Sequence, residues 1–264
     1  MTSPAVQFSR AAQTYERGAG LHRHVAARLI GMMPGPEAGF PGRILEVGCG
    51  TGVLTEPVRR RFPDVPLCVL DVAEGMIACV RERWGADPRM EFMTGDVRDF
   101  ESTCPFDLIV SSSALHWALP LDRTLVKLKG CLSTRGILCM ALMVEGTLGE
   151  LHGLRRRIAP GKTPAGRLPV RSEVVAAIGS AGMEISGLET ESIQTHYQSA
   201  EDFLGTIHAQ GLTGGAVSQA GLPLSRRELS LIRKEYDATY RDGRDGVFAT
   251  FEILYIRAAA GISG

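Results

Sequence analysis

The chain has 264 residues, of which 44% are hydrophobic and 22% are charged, a composition typical of a folded protein and unlike that of a disordered chain. Its 29 basic residues equal its 29 acidic residues in number, so no overall charge attracts the molecule to nucleic acid or to a membrane surface. No apolar run reaches the ~20 residues of a membrane span, and the first residues lack the apolar core of a signal peptide. The six cysteines include no C-x-x-C pair, which favours reduced thiols. We therefore expect a cytoplasmic protein that holds no metal ion.

Strands alternate with helices from the N-terminus to about residue 145. The strands are apolar at successive positions, which indicates burial on both faces, as in a parallel sheet. A connector rich in proline and glycine, residues 34–42, precedes the first strand. The predicted elements are helix 5–33, strand 43–48, helix 53–61, strand 66–71, helix 73–84, strand 90–93, strand 106–111, helix 121–132 and strand 136–144.

The remaining sequence is mainly helical and contains two more strands. These strands are expected to complete the same sheet, so that residues 1–264 form one α/β domain with a seven-stranded, mostly parallel, Rossmann-like sheet and helices on both faces. The segments 1–33, 147–181 and 199–240 are expected to form a helical lid over the carboxyl ends of the strands. The predicted elements here are helices 147–158, 171–181, 199–210 and 225–240 and strands 184–194 and 247–257.

A glycine-rich turn, E-V-G-C-G-T-G at residues 46–52, follows the first strand and opens a helix. Glycines at such a turn let a ligand approach the backbone beside a helix N-terminus. The spacing differs from the G-x-G-x-x-G of dinucleotide-binding loops, and no Tyr-x-x-x-Lys pair supports hydride transfer with a nicotinamide cofactor. The turn instead resembles motif I of the class I S-adenosylmethionine-dependent methyltransferases. An acid beside the loop suits a ligand that carries an ammonium and a sulfonium group.

Two further acids follow strands at the same predicted edge of the sheet. Asp71 ends the second strand, where a carboxylate can accept both hydroxyls of a ribose. Asp96 follows the third strand, and the resemblance implies that it meets the amino group of adenine. The resemblance extends the predicted cofactor site to Glu46, Gly48, Cys49, Gly50, Gly52, Val72, Met76, Val97 and Ser112.

Four segments outside the cofactor loop resemble one family in particular. They are F-S-R-A-A-x-x-Y-E at residues 8–16, S-A-L-H-W at 113–117, E-G-T-L-x-E-L-H at 145–152 and F-A-T-F-E at 248–252. In order and spacing they are similar to the malonyl-[acyl-carrier protein] O-methyltransferases of biotin synthesis, the BioC family. The resemblance implies that a methyl group passes from S-adenosylmethionine to the free carboxylate of a malonyl thioester on acyl-carrier protein, leaving S-adenosylhomocysteine.

A carboxylate acceptor is already ionised at neutral pH, so it needs no general base, but it does need a cationic partner. Residues 151–172 contain six basic residues and no acid. Arg167 matches a lid arginine of the family and is predicted to hold the malonyl carboxylate, with Arg10 and Arg171 as the next candidates. The run Arg155, Arg156 and Arg157 is predicted to meet the acidic carrier protein, with a solvated helix face as the alternative.

The remaining site predictions concern aromatic residues, a histidine and an acid. Tyr15 is predicted to lie over the methionine end of the cofactor, with a core position as the alternative. Trp117 is predicted to form a wall of the pocket. His116 is predicted to orient the substrate, although a structural role is the alternative for a lone histidine. Glu150 is expected to pair with a lid arginine.

Three functions compete at this stage. The first is methylation of a malonyl thioester, on a carrier protein or on coenzyme A. The second is S-adenosylmethionine-dependent methylation of another small carboxylic acid, such as aconitate. The third, a non-catalytic binding subunit with the same fold, is disfavoured by the intact acids Glu46, Asp71 and Asp96.

Overall fold

A computed structural model describes residues 4–11, 20–36, 40–162, 167–210, 222–243 and 245–261. Its strands form one seven-stranded sheet in the order β3-β2-β1-β4-β5-β7-β6. The first five strands are parallel to one another, and β7 runs antiparallel to both β5 and β6. The predicted Rossmann-like sheet is therefore confirmed. The strands are β1 (Ile44–Val47), β2 (Leu67–Asp71), β3 (Met90–Thr94), β4 (Phe106–Ser112), β5 (Leu132–Met143), β6 (Met183–Tyr197) and β7 (Val247–Ala260).

The central strands are apolar at successive positions because both faces of the sheet are covered. Along β7, Phe251 and Tyr255 pack into the core on one face, whereas Leu254 and Ile256 pack into the core on the other. The described helices are α1 (Pro4–Ala11), α2 (Gly20–Met32), α3 (Thr55–Arg61), α4 (Glu74–Trp84), α5 (Leu121–Cys131), α6 (Gly149–Ile158), α7 (Arg171–Ser180), α8 (Ala200–Ala209) and α9 (Arg226–Thr239). Among them, none is both long and apolar enough to cross a bilayer.

Helices cover both faces of the sheet. On one face, α2, α3 and α4 bury residues such as Leu29, Val58 and Ile77 against the strands. On the other face, α5 and α7 bury Leu125 and Ile178 and contact each other. The predicted lid segments 1–33 and 147–181 thus include two helices, α2 and α7, whose apolar stripes lie against the faces of the sheet and not over its carboxyl edge.

Three helices pack where β6 and β7 extend past the end of β5. Met143, the last residue of β5, pairs with Ile253, but β7 begins six residues earlier, at Val247, which pairs with Tyr197. This projecting ribbon contacts α6 and α8, and α9 packs on both of those helices. Helix α1, which also lies near the carboxyl ends of the parallel strands, contacts α4. These contacts put four helices around the carboxyl ends of the parallel strands.

Candidate active site

A cavity of 410 Å³ opens at the carboxyl ends of β1, β2, β3 and β4. Its size falls within the range of about 300–1,000 Å³ that is usual for small-molecule sites. Parallel strands present their carboxyl ends at one edge, which explains why acids and glycines distant in sequence meet there. The predicted cofactor residues that line it are Gly48, Gly50, Asp71, Val72, Met76, Asp96, Val97 and Ser112.

The glycine-rich turn folds tightly over the end of β1. Gly48 and Gly52 have positive φ angles of 72° and 96°, which disfavour any residue with a Cβ atom. A Cβ on Gly48 would stand 2.2 Å from the Cβ of Ala114, and one on Gly52 would stand 2.7 Å from the ring of Trp84. Glycine is therefore required here by packing as well as by backbone conformation.

Asp71 joins this turn to the end of β2. It is 9% exposed, and its Oδ2 accepts a hydrogen bond of 2.9 Å from the Gly50 amide while its Oδ1 accepts one of 2.8 Å from the Ala73 amide. Burial raises the pKa of the carboxyl, and hydrogen bonds from backbone amides act against that rise. Each oxygen keeps one further acceptor site, so the carboxylate can take two hydroxyl donors from a ligand.

Asp96 is held by Arg98, a cavity residue that sequence reasoning missed. Arg98 Nε lies 3.0 and 3.1 Å from the two carboxylate oxygens of Asp96, and Nη2 lies 2.5 Å from Oδ2. These hydrogen bonds lower the pKa of Asp96. The spacing D-x-R after a strand was a usable signal, since it lets an arginine fold back on the acid.

Glu46 lies beneath the turn and does not line the cavity. It is 1% exposed, and its Oε2 has no hydrogen-bond partner among the described residues. Burial, with a smaller contribution from the nearby Asp71 carboxylate, raises the pKa of Glu46 to about 8. Cys49 and Gly52 also belong to the turn without lining the cavity, and burial raises the pKa of the Cys49 thiol.

The cavity is closed by residues of α1 and of the segment after β4. Trp117 lines it, at the position predicted for a pocket wall, and Phe8 of α1 meets the Trp117 ring edge-on at 5.2 Å between centroids. Ser113 also lines it, with a positive φ of 55° and an Oγ that has no hydrogen-bond partner in the described part of the chain. The helix α1 belongs to the segment 1–33, which is expected from the sequence to form part of the lid.

His116 does not line the cavity, although both of its neighbours do. Its ring is fully buried, and Nδ1 accepts a hydrogen bond of 3.4 Å from the Met143 amide at the end of β5. Burial lowers the pKa of His116 to about 3, so the ring is neutral at physiological pH. This geometry differs from the predicted role in orienting substrate and favours the structural alternative.

Arg167 also lies outside the cavity lining. Its exposed guanidinium pairs with Glu173, which in turn accepts a hydrogen bond of 3.1 Å from the Val170 amide at the start of α7. Among the residues that the structure describes, Glu150 has no arginine partner, contrary to expectation. Its carboxylate instead receives the hydroxyl of Thr250 at 2.5 Å, together with the amide of the same residue. Tyr15 and the side chain of Arg10 lie outside the described residues.

The basic stretch 151–172 is balanced by groups distant in sequence. Arg157 pairs with Glu235 of α9 at 2.8 Å, and Arg155, which is partly buried, donates to the Leu222 carbonyl at 3.1 Å. Arg156 and Arg171 are exposed. The surface of this stretch is thus less basic than the local sequence indicates. Two of the three arginines of α6 bind other parts of the chain: Arg157 binds α9, and Arg155 binds the loop before α9.

Comparisons with known proteins agree with this geometry. A family model described as a methyltransferase domain matches residues 44–136, which carry the glycine turn and both acids. The structure of a phosphoethanolamine N-methyltransferase 2 from Haemonchus contortus, solved with S-adenosylhomocysteine, has a similar fold, with a TM-score of 0.59 at 15% identity over 99% of this chain and 61% of that one.

Two relatives extend the similarity over almost the whole chain. A malonyl-[acyl-carrier protein] O-methyltransferase of Geobacter sulfurreducens is 30% identical over 94% of each chain. Another, from Halalkalibacterium halodurans, is 27% identical over 96% of each chain. The chain therefore belongs to the malonyl-[acyl-carrier protein] O-methyltransferase family of S-adenosylmethionine-dependent methyltransferases.

Proposed function

We propose that this enzyme methylates the free carboxylate of a malonyl thioester carried on acyl-carrier protein, an early step of biotin synthesis. The names of its relatives support this acceptor. The observation that carries the proposal is the cavity itself, in which two carboxylates and a glycine turn converge at the carboxyl ends of parallel strands. A cytoplasmic location, as the sequence predicts, fits a carrier-protein substrate.

The cavity residues suit S-adenosylmethionine, which when bound supplies an electrophilic methyl group on its sulfonium. Asp71 has two open acceptor sites for the ribose hydroxyls, and Asp96 has an acceptor site for the adenine amino group. The backbone of Gly48 and Gly50 permits close approach of the methionine moiety. Met76, Val97 and Val72 offer the apolar surface for the base.

Little proton chemistry is required of the protein, because a carboxylate acceptor with an ordinary pKa near ~4 is ionised at neutral pH. The residues of the site act instead by placing the acceptor oxygen and excluding water. Phe8 and Trp117 form an apolar wall suited to that task. Holding two reactants in line contributes up to about 7–11 kcal/mol in well-oriented cases.

We further propose that Arg167 grips the substrate carboxylate by exchanging its partner Glu173 for the ligand. Truncating one partner of a buried charge pair costs about 2–5 kcal/mol. Arg167→Ala should therefore lower kcat/KM for the malonyl substrate by about 30- to 4,000-fold, with cofactor affinity unchanged. Arg167→Lys should recover only part, since a lysine lacks the planar fork.

Glu173→Gln is the matched variant, because it frees Arg167 without removing it and should leave methylation at or above the parent level. Steady-state kinetics on the three variants measures these effects. Normal methylation by Arg167→Ala would put the clamp elsewhere, and Arg10 and Arg171 would be tested next.

The function itself is tested by offering malonyl-acyl-carrier protein, malonyl-coenzyme A, malonate and aconitate side by side. We expect the carrier-protein thioester to be methylated most efficiently and Asp71→Ala to weaken cofactor binding in calorimetry. Methylation of a free diacid alone would favour the second candidate acceptor. Cofactor binding without methylation of any acid would favour a binding subunit.

A further inference from the structure

Arg98 connects two loops that border the cavity. Besides its contacts with Asp96 after β3, its Nη1 lies 3.3 Å from the carbonyl of Leu119, which precedes α5. Asp96, Arg98 and Ala118 all line the cavity. A single side chain thus sets the distance between the loop after β3 and the loop before α5, at the end of the cavity where the base of the cofactor is expected.

Arg98 also determines which acceptor sites of Asp96 stay open. A carboxylate has about four acceptor sites. Oδ1 accepts the Arg98 amide at 2.9 Å, Oδ2 accepts Nη2, and the single Nε proton is shared between the two oxygens. These three donors fix the plane of the carboxylate and leave about one of its four acceptor sites open. Without them, the group is free to rotate about its terminal bond, which has a broad torsional preference.

We propose that Arg98 is a positioning residue for nucleobase selection: by fixing the Asp96 carboxylate with one open acceptor site, it makes the cavity favour a base that presents an amino group there. The inference deepens the proposed function and rests on it. A base with a carbonyl oxygen at the same point would bring that oxygen against the Asp96 carboxylate. Both groups are hydrogen-bond acceptors, so neither would have a donor. Discrimination then depends on the carboxylate being unable to turn away.

The test compares binding of S-adenosylhomocysteine with that of S-inosylhomocysteine, its deaminated analogue, by calorimetry. The parent protein should prefer the adenine ligand by about tenfold or more, as expected for a hydrogen bond to a charged group. Arg98→Gln should bind the adenine ligand more weakly and lose most of this preference. Arg98→Lys should be intermediate, because one ammonium group supplies charge without a planar fork.

Two further variants make the result decisive. Arg123→Gln removes an exposed arginine of α5 that lines the neighbouring groove together with Arg98, and it should leave both affinities unchanged. Asp96→Asn should shift the preference towards the inosine ligand, because an amide can turn its N–H2 group towards a carbonyl. Thermal unfolding of each variant verifies that it is folded.

The outcomes separate this inference from the function on which it rests. If the parent protein binds neither ligand, the proposed cofactor site fails. If the parent discriminates and Arg98→Gln loses affinity equally for both ligands, Arg98 only supports the loop and the inference is overturned. Equal binding of both ligands by the parent protein also overturns it, while leaving the cofactor site intact.

Discussion

Glu46 is a carboxyl group buried beneath the loop on which the cofactor is expected to lie. Its pKa of about 8 in the folded protein stands far above the ~4.3 of an exposed glutamate. The folded state therefore holds a proton that the unfolded chain releases between these two values. Through Glu46, the free energy of unfolding does not depend on pH below about 4.3. It falls as the pH rises from about 4.3 to about 8 and is again independent of pH above about 8.

Glu46→Gln should remove this pH dependence, because the amide is neutral at every pH. Between the two pKa values, the free energy of unfolding of the parent protein falls by up to about 1.4 kcal/mol for each pH unit. The variant does not lose this stability. Thermal or denaturant unfolding of both proteins from acid to mildly alkaline pH measures the difference. Parallel stability curves for the two proteins would mean that Glu46 ionises normally and that the loop is more hydrated than its burial indicates.

At the level of elements, α1 is held against α4 by a glycine. Ser9 Oγ accepts a hydrogen bond of 3.3 Å from the Gly75 amide, and a Cβ on Gly75 would stand 2.8 Å from the Ser9 carbonyl oxygen. Such a contact is too short for any real Cβ, so a larger residue must displace α1. Because α1 supplies Ala5 and Phe8 to the cavity wall, its displacement opens the site without disturbing the sheet.

Gly75→Ala should therefore weaken S-adenosylmethionine binding by about tenfold, the loss of roughly one well-packed contact at 1.4 kcal/mol per factor of ten. Its unfolding temperature should stay the same or rise slightly, since alanine favours a helix over glycine. Gly130→Ala in α5 is the control, because a Cβ there meets nothing within 4 Å. Equal affinities for the two variants in calorimetry would show that α1 does not seal the cavity.

Two of the segments that resemble the family form one joint. Thr147 Oγ1 receives the Glu252 amide at 3.0 Å, and the Leu148 amide donates to the Thr250 carbonyl at 2.7 Å. With the contacts of Glu150, these bonds fix the start of α6 to the projecting end of β7. These contacts explain why Glu150 is not available to an arginine.

For the whole molecule, several of the charges on the basic stretch 151–172 are balanced by acids on other elements. Arg157 and Lys162 pair with acids of α9, at Glu235 and Glu228. Of the three arginines in the run on α6, Arg156 is exposed and forms no ion pair with the residues that the structure describes. We therefore expect any docking of an acidic partner on this face to depend chiefly on Arg156.

Arg156→Ala should raise KM for malonyl-acyl-carrier protein, and more at low ionic strength than at high, because salt screens exposed charges. Its KM for malonyl-coenzyme A should change less. Arg157→Ala, which removes an arginine already neutralised by Glu235, should have the smaller effect on the carrier-protein substrate. Steady-state kinetics at two salt concentrations makes the comparison. Identical behaviour of the two variants would place the docking face elsewhere.

Local sequence patterns suffice for the seven strands: β1, β2 and β4 are short apolar runs that are mostly buried, and the predicted β6 shows alternation along part of its length. They also suffice for Asp71 and Asp96, since strand ends converge at one edge of a parallel sheet. They do not reveal which distant groups neutralise a charge. Arg167 is assigned a ligand where the structure gives it Glu173, because the fold decides which acid this arginine meets. Arg98 was missed although its D-x-R spacing to Asp96 is a local signal.

The position of β7 has a consequence for how the chain is made. This strand lies between β5 and β6 but follows both in the sequence. While the chain is being synthesised, the first five strands can pair in order, yet β5 is left with an open edge and β6 has no neighbour to join. An open apolar edge is a template for pairing with other chains, so the hazard of aggregation is concentrated in this interval. A chain interrupted within β7 loses two strands from the sheet, although it lacks the residues of only one.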